Sequence, residues 1–359
     1  MGPASAWWSV TVGMLLQAVT GPAGQTWSPE RFWQQRSGYA GSESCRGCHS
    51  GIYEKQEASS HARTLRPLSE VAEFKTGLPF ELLDRVGNAG LRLSLDPSGS
   101  VLLSSVRGGE ETSVSLRWAF GAGAKAVTPV TVNDRGDYVE SRVSWFRGTG
   151  AFDLTPGARE RVPGSFAETL GQVLSHEDRK KCFGCHTSRP MADDPVPARN
   201  EMGIRCERCH GPGLEHVRAA SADSRRSSIF HPRDLTGFRM AQVCGACHGR
   251  PPREIDFDEI RQIQERPLAA RFPSQRLVLS RCFNETDGGL KCTVCHDPHD
   301  DVASSPEALD TPCRTCHSPG RNSAAICPKA SSNCSRCHMP KARVLHHTEF
   351  ADHWIRAKP

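Results

Sequence analysis

The chain has 359 residues and a formal charge of +5, with arginine outnumbering lysine 36 to 9. A surplus that small does not select nucleic acid as a partner. The compositional departure is 16 cysteines and 15 histidines, which directs attention to metal or cofactor chemistry.

Residues 1–24, "MGPASAWWSVTVGMLLQAVTGPAG", carry no charged side chain and hold an apolar core from about Ala6 to Val19. That core is too short for a membrane span, and small residues near Thr20 to Gly24 suit cleavage. The stretch predicts a signal peptide over 1–24 and a periplasmic or otherwise exported bacterial protein, membrane-peripheral at most.

Residues 25–75 contain the first C-x-x-C-H run. Six more follow, giving Cys45/Cys48/His49, Cys182/Cys185/His186, Cys206/Cys209/His210, Cys244/Cys247/His248, Cys292/Cys295/His296, Cys313/Cys316/His317 and Cys334/Cys337/His338. Random placement would give on the order of 0.03 such runs, so the pattern is built in. The spacing between Cys182/Cys185 and Cys206/Cys209 also falls in the zinc-ribbon range. A four-cysteine ribbon has no use for a histidine after every second cysteine, and an odd number of half-sites pairs badly into tetrahedral centres. Covalent haem explains each position. Two cysteines three apart form thioethers to the vinyl groups, and the next residue, histidine, supplies the proximal ligand. Seven covalently attached haem c groups are expected.

Between about Leu91 and Phe146, within an insert spanning 76–165, apolar and polar residues alternate in stretches separated by Gly, Asp, Pro and Asn. This predicts a small antiparallel sheet. Residues 166–359 hold the other six motifs in a Gly-, Pro- and Ser-rich background, with short helices expected at Ala167 to Leu174 and Phe257 to Arg266. So polar a segment cannot build a large side-chain core, so packed porphyrins are expected to replace it, and the haem-free chain is expected not to fold. The fold class expected is a mostly irregular and α multihaem cytochrome c, with short helices around stacked haems and a β-rich insert, α+β overall.

Eight histidines lie outside the motifs, and seven irons need seven distal ligands. His61, His176, His216, His231, His299, His347 and His353 are the expected set, with His346, beside His347, the spare. Distal and proximal ligands approach opposite faces of the ring. His299, three residues after His296, and His216, six after His210, are therefore expected to ligate a neighbouring haem. Paired histidines saturate the iron and lower its potential, which suits electron transfer. Each oxidised bis-histidine haem adds one positive charge and two propionates, bringing the formal total to about −2. Arg46, Arg205, Arg208, Arg314 and Arg336, in or beside motifs, suit propionate binding. Cys282 and Cys327 belong to no motif and suggest a disulfide in an oxidising compartment.

The stretches "YAGSESCRGCHSGIYEKQEASSHARTL", "GIRCERCHGPGLEHV", "LKCTVCHDPHD" and "NCSRCHMPK" followed by "HTEFADHWIR" resemble the bacterial multihaem cytochrome c-554 family. The run "FGAGAKAVTPVTVNDRGDYVESRVSWFRGTGAFDLTPG" is similar to the β-rich insert of its larger members. The resemblance implies distal ligation by His61, His216, His299, His347 and His353; His176 and His231 rest on counting alone. Enzymes among the wider relatives mark their active haem by a lysine in place of the proximal histidine or by a tyrosine cross-link. No C-x-x-C-K run occurs here, and none of the three tyrosines lies among the clustered motifs.

The expected function is therefore electron transfer along bis-histidine haems, between a quinol-side membrane donor and a periplasmic or outer-membrane acceptor such as a terminal reductase or another cytochrome. The alternative is an oxidoreductase acting on nitrite, hydroxylamine or a sulfur oxyanion at one five-coordinate haem. A third reading is a subunit of a larger respiratory complex.

Overall fold

The computed structural model describes residues 37–189, 197–222, 229–252, 257–286, 288–303, 305–318 and 327–357. The expected leader over 1–24 lies outside them. Among the described residues no helix is long and apolar enough to cross a membrane.

Strand β1 (Leu65–Pro67) is followed by an antiparallel meander of β2 (Phe80–Asp84), β3 (Ala89–Leu95), β4 (Val101–Arg107) and β5 (Glu110–Ser115). Then come β6 (Trp118–Phe120), β7 (Ala126–Val132), β8 (Tyr138–Ser141), β9 (Val143–Phe146), β10 (Ala151–Leu154) and β11 (Gly171–Val173). These join β1 in a seven-stranded sheet ordered β1-β6-β7-β8-β11, with β9 pairing both β7 and β10. The β structure is thus larger than the single small sheet expected.

Period-two alternation accounts for the packing of the meander. In β3, Leu91 and Leu93 are buried while Arg92 faces out beside Glu81. With Leu103 they meet Val127, Val143, Phe152 and Leu154 of the second sheet, and Phe74 closes the cluster with an edge-on contact to Phe152. At this core's margin Arg142, fully buried between β8 and β9, donates from Nε to Asp84 Oδ2 at 2.5 Å. Its Nη2 donates to the carbonyls of Ala158 and Arg161 at 3.0 and 3.2 Å.

A second buried cluster uses Leu65, Trp118, Phe120, Val130 and Tyr138 to receive Phe183 of the helix His176–His186 and Met202. One sheet therefore fixes the helix that carries the second motif. The expected helix at Ala167 to Leu174 is instead a short 3-10 turn, Ala167–Thr169, running into β11. Gly171 breaks the helical pattern, and Gly171 to Val173 pair with β8.

The remaining chain is short helices and loops, including the expected helix at Phe257–Glu265. Three helices are capped by a side chain that accepts a backbone N–H: Ser175 from Asp178, Thr236 from Arg239 and Ser305 from Ala308. The buried apolar cluster described in this half comprises only Leu235, Met240 and Val243. A hairpin of β12 (Lys341–Leu345) and β13 (Thr348–Ala351) closes the chain.

Candidate functional site

Each motif occupies about one helical turn. His49 follows the 3-10 helix Ser42–Cys45 and caps the helix Ser50–Ala58, while the helices His176–His186, Gly237–His248 and Pro306–Cys316 each end on a motif. The helices Cys206–His210, Cys292–Cys295 and Cys334–His338 are motif turns themselves. The N–H groups of His49, His296 and His317 donate to the carbonyl of the first motif cysteine at 2.9, 3.0 and 2.9 Å. A helical turn puts residues three apart on one face, so both cysteines point to the same side.

Histidines distant in sequence meet in pairs. The ring centroids of His49 and His216 are 6.4 Å apart, of His61 and His248 6.1 Å, of His210 and His299 6.2 Å, and of His296 and His353 6.1 Å. Metal–imidazole bonds of about 2 Å hold two trans rings with centroids about 6 Å apart. The gap in all four pairs therefore fits one iron. His299 lies across from His210, and His216 across from His49, so neither faces the motif next to it. His231 meets His210 edge-on at 5.7 Å, while the carbonyl of Phe230 takes His210 Nδ1 at 3.0 Å.

The other ring nitrogen is occupied in several of these residues. Nδ1 of His186, His338 and His353 lies at 2.8, 3.0 and 3.0 Å from the carbonyls of Thr64, Arg356 and Ala351. Nδ1 of His61 is 3.3 Å from the Pro298 carbonyl, and that of His299 is 3.2 Å from Asp297 Oδ1. Such bonds fix the ring and leave Nε2 available to a ligand. Burial also favours the neutral imidazole: it pushes His186, His210, His296 and His353 down, and His248 down to about 4.

The structure does not bring every expected ligand opposite a motif histidine. His176 is exposed at the start of its helix, and no described ring lies against it. His347 turns Nε2 to Asp153 Oδ2 at 2.6 Å, so the atom needed for an iron is engaged elsewhere. His186 has the Phe120 ring at 5.0 Å. Cys282 and Cys327 are both free thiols.

The motifs also touch one another through their cysteines. Cysteines of different motifs lie close enough to perturb one another: Cys45 and Cys206, Cys185 and Cys247, and Cys244 and Cys292. Within each pair one thiol is pushed up and the other down, Cys206 and Cys247 to about 6. Cys313 also lies near Cys334, and burial pushes Cys313 up to about 11 and Cys334 up as well. As thioethers these sulfurs would not titrate, and what carries over is their proximity. The contacts run from first motif to third and from fourth to fifth, with the second on the fourth and the sixth on the seventh.

Not every motif cysteine shares in this packing. Cys48 and Cys337 are exposed, as are Cys295 and Cys316, and neither Cys48 nor Cys337 belongs to the sulfur pairs just described.

Three buried carboxylates hold this arrangement, and no sequence pattern announces them. Glu207, inside the third motif, accepts N–H bonds from Ala40, Gly41 and Gly213 at 2.8, 2.9 and 2.7 Å and so ties the approach to the first motif onto the third. Asp310 accepts from the N–H groups of Asn333 and Cys334 at 2.5 and 2.8 Å, joining the sixth motif's helix to the seventh. Asp352, beside His353, takes a two-pronged bond from Arg276 at 2.8 and 2.6 Å and another from Arg356 at 2.9 Å.

No family model and no curated protein matches the chain. Among solved structures it is similar to the outer cell wall cytochrome OcwA, with a TM-score of 0.52 and 16% identity over 89% of this chain and 80% of that one. The likeness is one of fold: an α+β chain with the fold of a cytochrome.

Proposed function

We propose that the chain is a multihaem c-type cytochrome of the cytochrome c-554 type, carrying electrons outside the cytoplasmic membrane between a quinol-side donor and a periplasmic or outer-membrane acceptor. The observation that carries this reading is the set of four histidine pairs with ring centroids 6.1 to 6.4 Å apart, each containing a motif histidine. When bound, haem c supplies one-electron chemistry. The motif cysteines would hold it by thioethers, with the exposed Cys48 and Cys337 setting one edge of the first and seventh rings toward solvent. His49, His186, His210, His248, His296, His317 and His338 would be the proximal ligands. His216, His299, His61 and His353 would be distal on the first, third, fourth and fifth motifs. A pair of histidines leaves no open position for substrate, which favours a carrier over an enzyme at those four sites. The similarity to an outer cell wall cytochrome supports an exported location.

The second reading, an oxidoreductase with one open iron, finds its best candidate at the second motif. There His186 is held by Thr64 and faces Phe120, and no second histidine ring stacks on it among the described residues. Two measurements separate the readings: a haem count per chain and a low-temperature EPR spectrum of the oxidised protein. Seven haems and only low-spin signals support the carrier. A high-spin ferric signal that shifts on adding nitrite or hydroxylamine supports the enzyme.

A further inference from the structure

Two adjacent histidines that do not meet a motif histidine converge on one carboxylate. Asp153 lies in β10, and His346 and His347 form the turn between β12 and β13, almost two hundred residues later in the chain. His347 Nε2 is 2.6 Å and His346 Nε2 3.5 Å from Asp153 Oδ2. The two imidazole centroids are 3.9 Å apart, and one ligand atom from each of the three residues falls within 4.8 Å of the others. We propose that Asp153, His346 and His347 bind a divalent late transition cation of the zinc or copper class, apart from the haem motifs.

The backbone is arranged for this convergence. Consecutive residues of a strand point to opposite faces, and a turn that sends two neighbouring side chains to one side needs an unusual conformation. His347 has one, with φ of 62° in the left-handed region that non-glycine residues seldom adopt. The turn also sits close against the β9–β10 hairpin. A Cβ on Gly148 would lie 2.8 Å from the His347 carbonyl oxygen, so only glycine there lets the histidines reach Asp153.

The donor chemistry selects the class of ion. Two imidazole nitrogens with one carboxylate oxygen suit zinc and copper, whereas calcium and magnesium require mostly oxygen. Asp153 and His347 are largely covered, at 16% and 23% side-chain exposure, while His346 at 51% leaves the cation open to solvent on one side for a water ligand. Phe146 backs the His347 ring at 5.2 Å. Arg159 Nη2 lies 2.6 Å from both Asp153 oxygens, and the Leu154 N–H donates to Oδ1 at 2.7 Å. A cation would take Oδ2 and leave Arg159 on Oδ1, so Arg159 competes with the ion for the carboxylate. A bound ion would staple the β sandwich to the hairpin that precedes His353.

The test is calorimetric titration of the haem-loaded, chelator-treated full chain with zinc chloride, in parallel with its thermal melt and visible spectrum. One zinc per chain is expected, with a melting temperature that rises with zinc concentration. His346→Gln and Asp153→Asn are expected to weaken binding at least tenfold and to leave the haem spectrum unchanged. Arg159→Gln, which removes the competing cation, is expected to tighten binding severalfold. Unchanged zinc affinity in His346→Gln, or no tightening in Arg159→Gln, would overturn the proposal. So would a His347→Gln variant that turns one haem high-spin while zinc binding is unaltered, since His347 would then be an axial ligand. These outcomes are read independently of the haem count, so failure here leaves the electron-transfer reading standing.

Discussion

On the proposed reading, single histidines decide which iron is held from which side, and His299 gives the sharpest case. It lies three residues after His296 in sequence yet stacks parallel to His210 at 6.2 Å. Replacing His299 by alanine is expected to turn one of seven haems high-spin, and that haem should be the one on Cys206/Cys209. Mapping the site with a second substitution, His210→Met, locates the change; a high-spin signal assigned to Cys292/Cys295 instead would refute the pairing. At this scale the sequence was informative about the motifs themselves, because seven identical spacings leave little freedom in reading them. It did not tell a half-buried cysteine such as Cys209 from an exposed one such as Cys48 or Cys337, because that difference depends on which motif packs on which. It said less about distal ligands. Counting treats His176 and His347 like any other histidine, whereas the geometry of His347 depends on where Asp153 lies. The partners of His216 and His299 were predictable only as far as ring geometry forbids the adjacent haem.

In the motif-bearing half, buried polar clasps hold elements in place alongside a small apolar cluster. The C-terminal segment that bears His353 is fastened by Asp352, which is 4% exposed, to Arg276 and Arg356. Burial alone would raise the Asp352 carboxyl, but the bonds from Arg276, the Trp354 N–H and Arg356 outweigh it and hold the group down to about 2. A carboxyl depressed in the folded state stabilises the protein above its ordinary value near 4. That contribution, roughly 1–2 kcal/mol, should be lost as pH falls from about 4 through about 2. Asp352→Asn should remove this part of the acid transition. It should also cost about 3–5 kcal/mol at neutral pH by leaving Arg276 buried without its counter-charge. If Asp352 positions His353, the same variant should show a high-spin signal from the haem on Cys292/Cys295; an unchanged spectrum would limit it to a structural clasp. Sequence reading expected a helix from Phe257 to Arg266, and the structure has one at Phe257–Glu265. It misread Ala167 to Leu174 because the pairing of Gly171 to Val173 with β8 is a long-range contact that local pattern does not carry.

For the whole molecule, the two halves differ in what supplies the core. The sandwich buries Leu91, Leu93, Leu103, Val127, Val143 and Phe152 with Phe74, all from residues 74–152. The motif-bearing half has many cysteine and histidine clusters and, in the described residues, a buried apolar cluster of three side chains. Polarity and the spacing of motifs made that contrast legible, but the size of the β part was not, since short strands such as Leu65–Pro67 and Gly171–Val173 become visible only through their partners. The contrast refines the expectation that the haem-free chain does not fold. Without the cofactor, the motif helices lose the rings that would lie between them, while the sandwich keeps its own contacts and the Arg142–Asp84 pair. Limited proteolysis of protein expressed without haem attachment is therefore expected to leave a protected fragment covering about residues 65–174, with the rest digested. The holoprotein should resist across the described chain. Complete digestion of the haem-free chain would mean that the sandwich depends on Phe183 and Met202, the two side chains that the motif-bearing half lends to its second cluster.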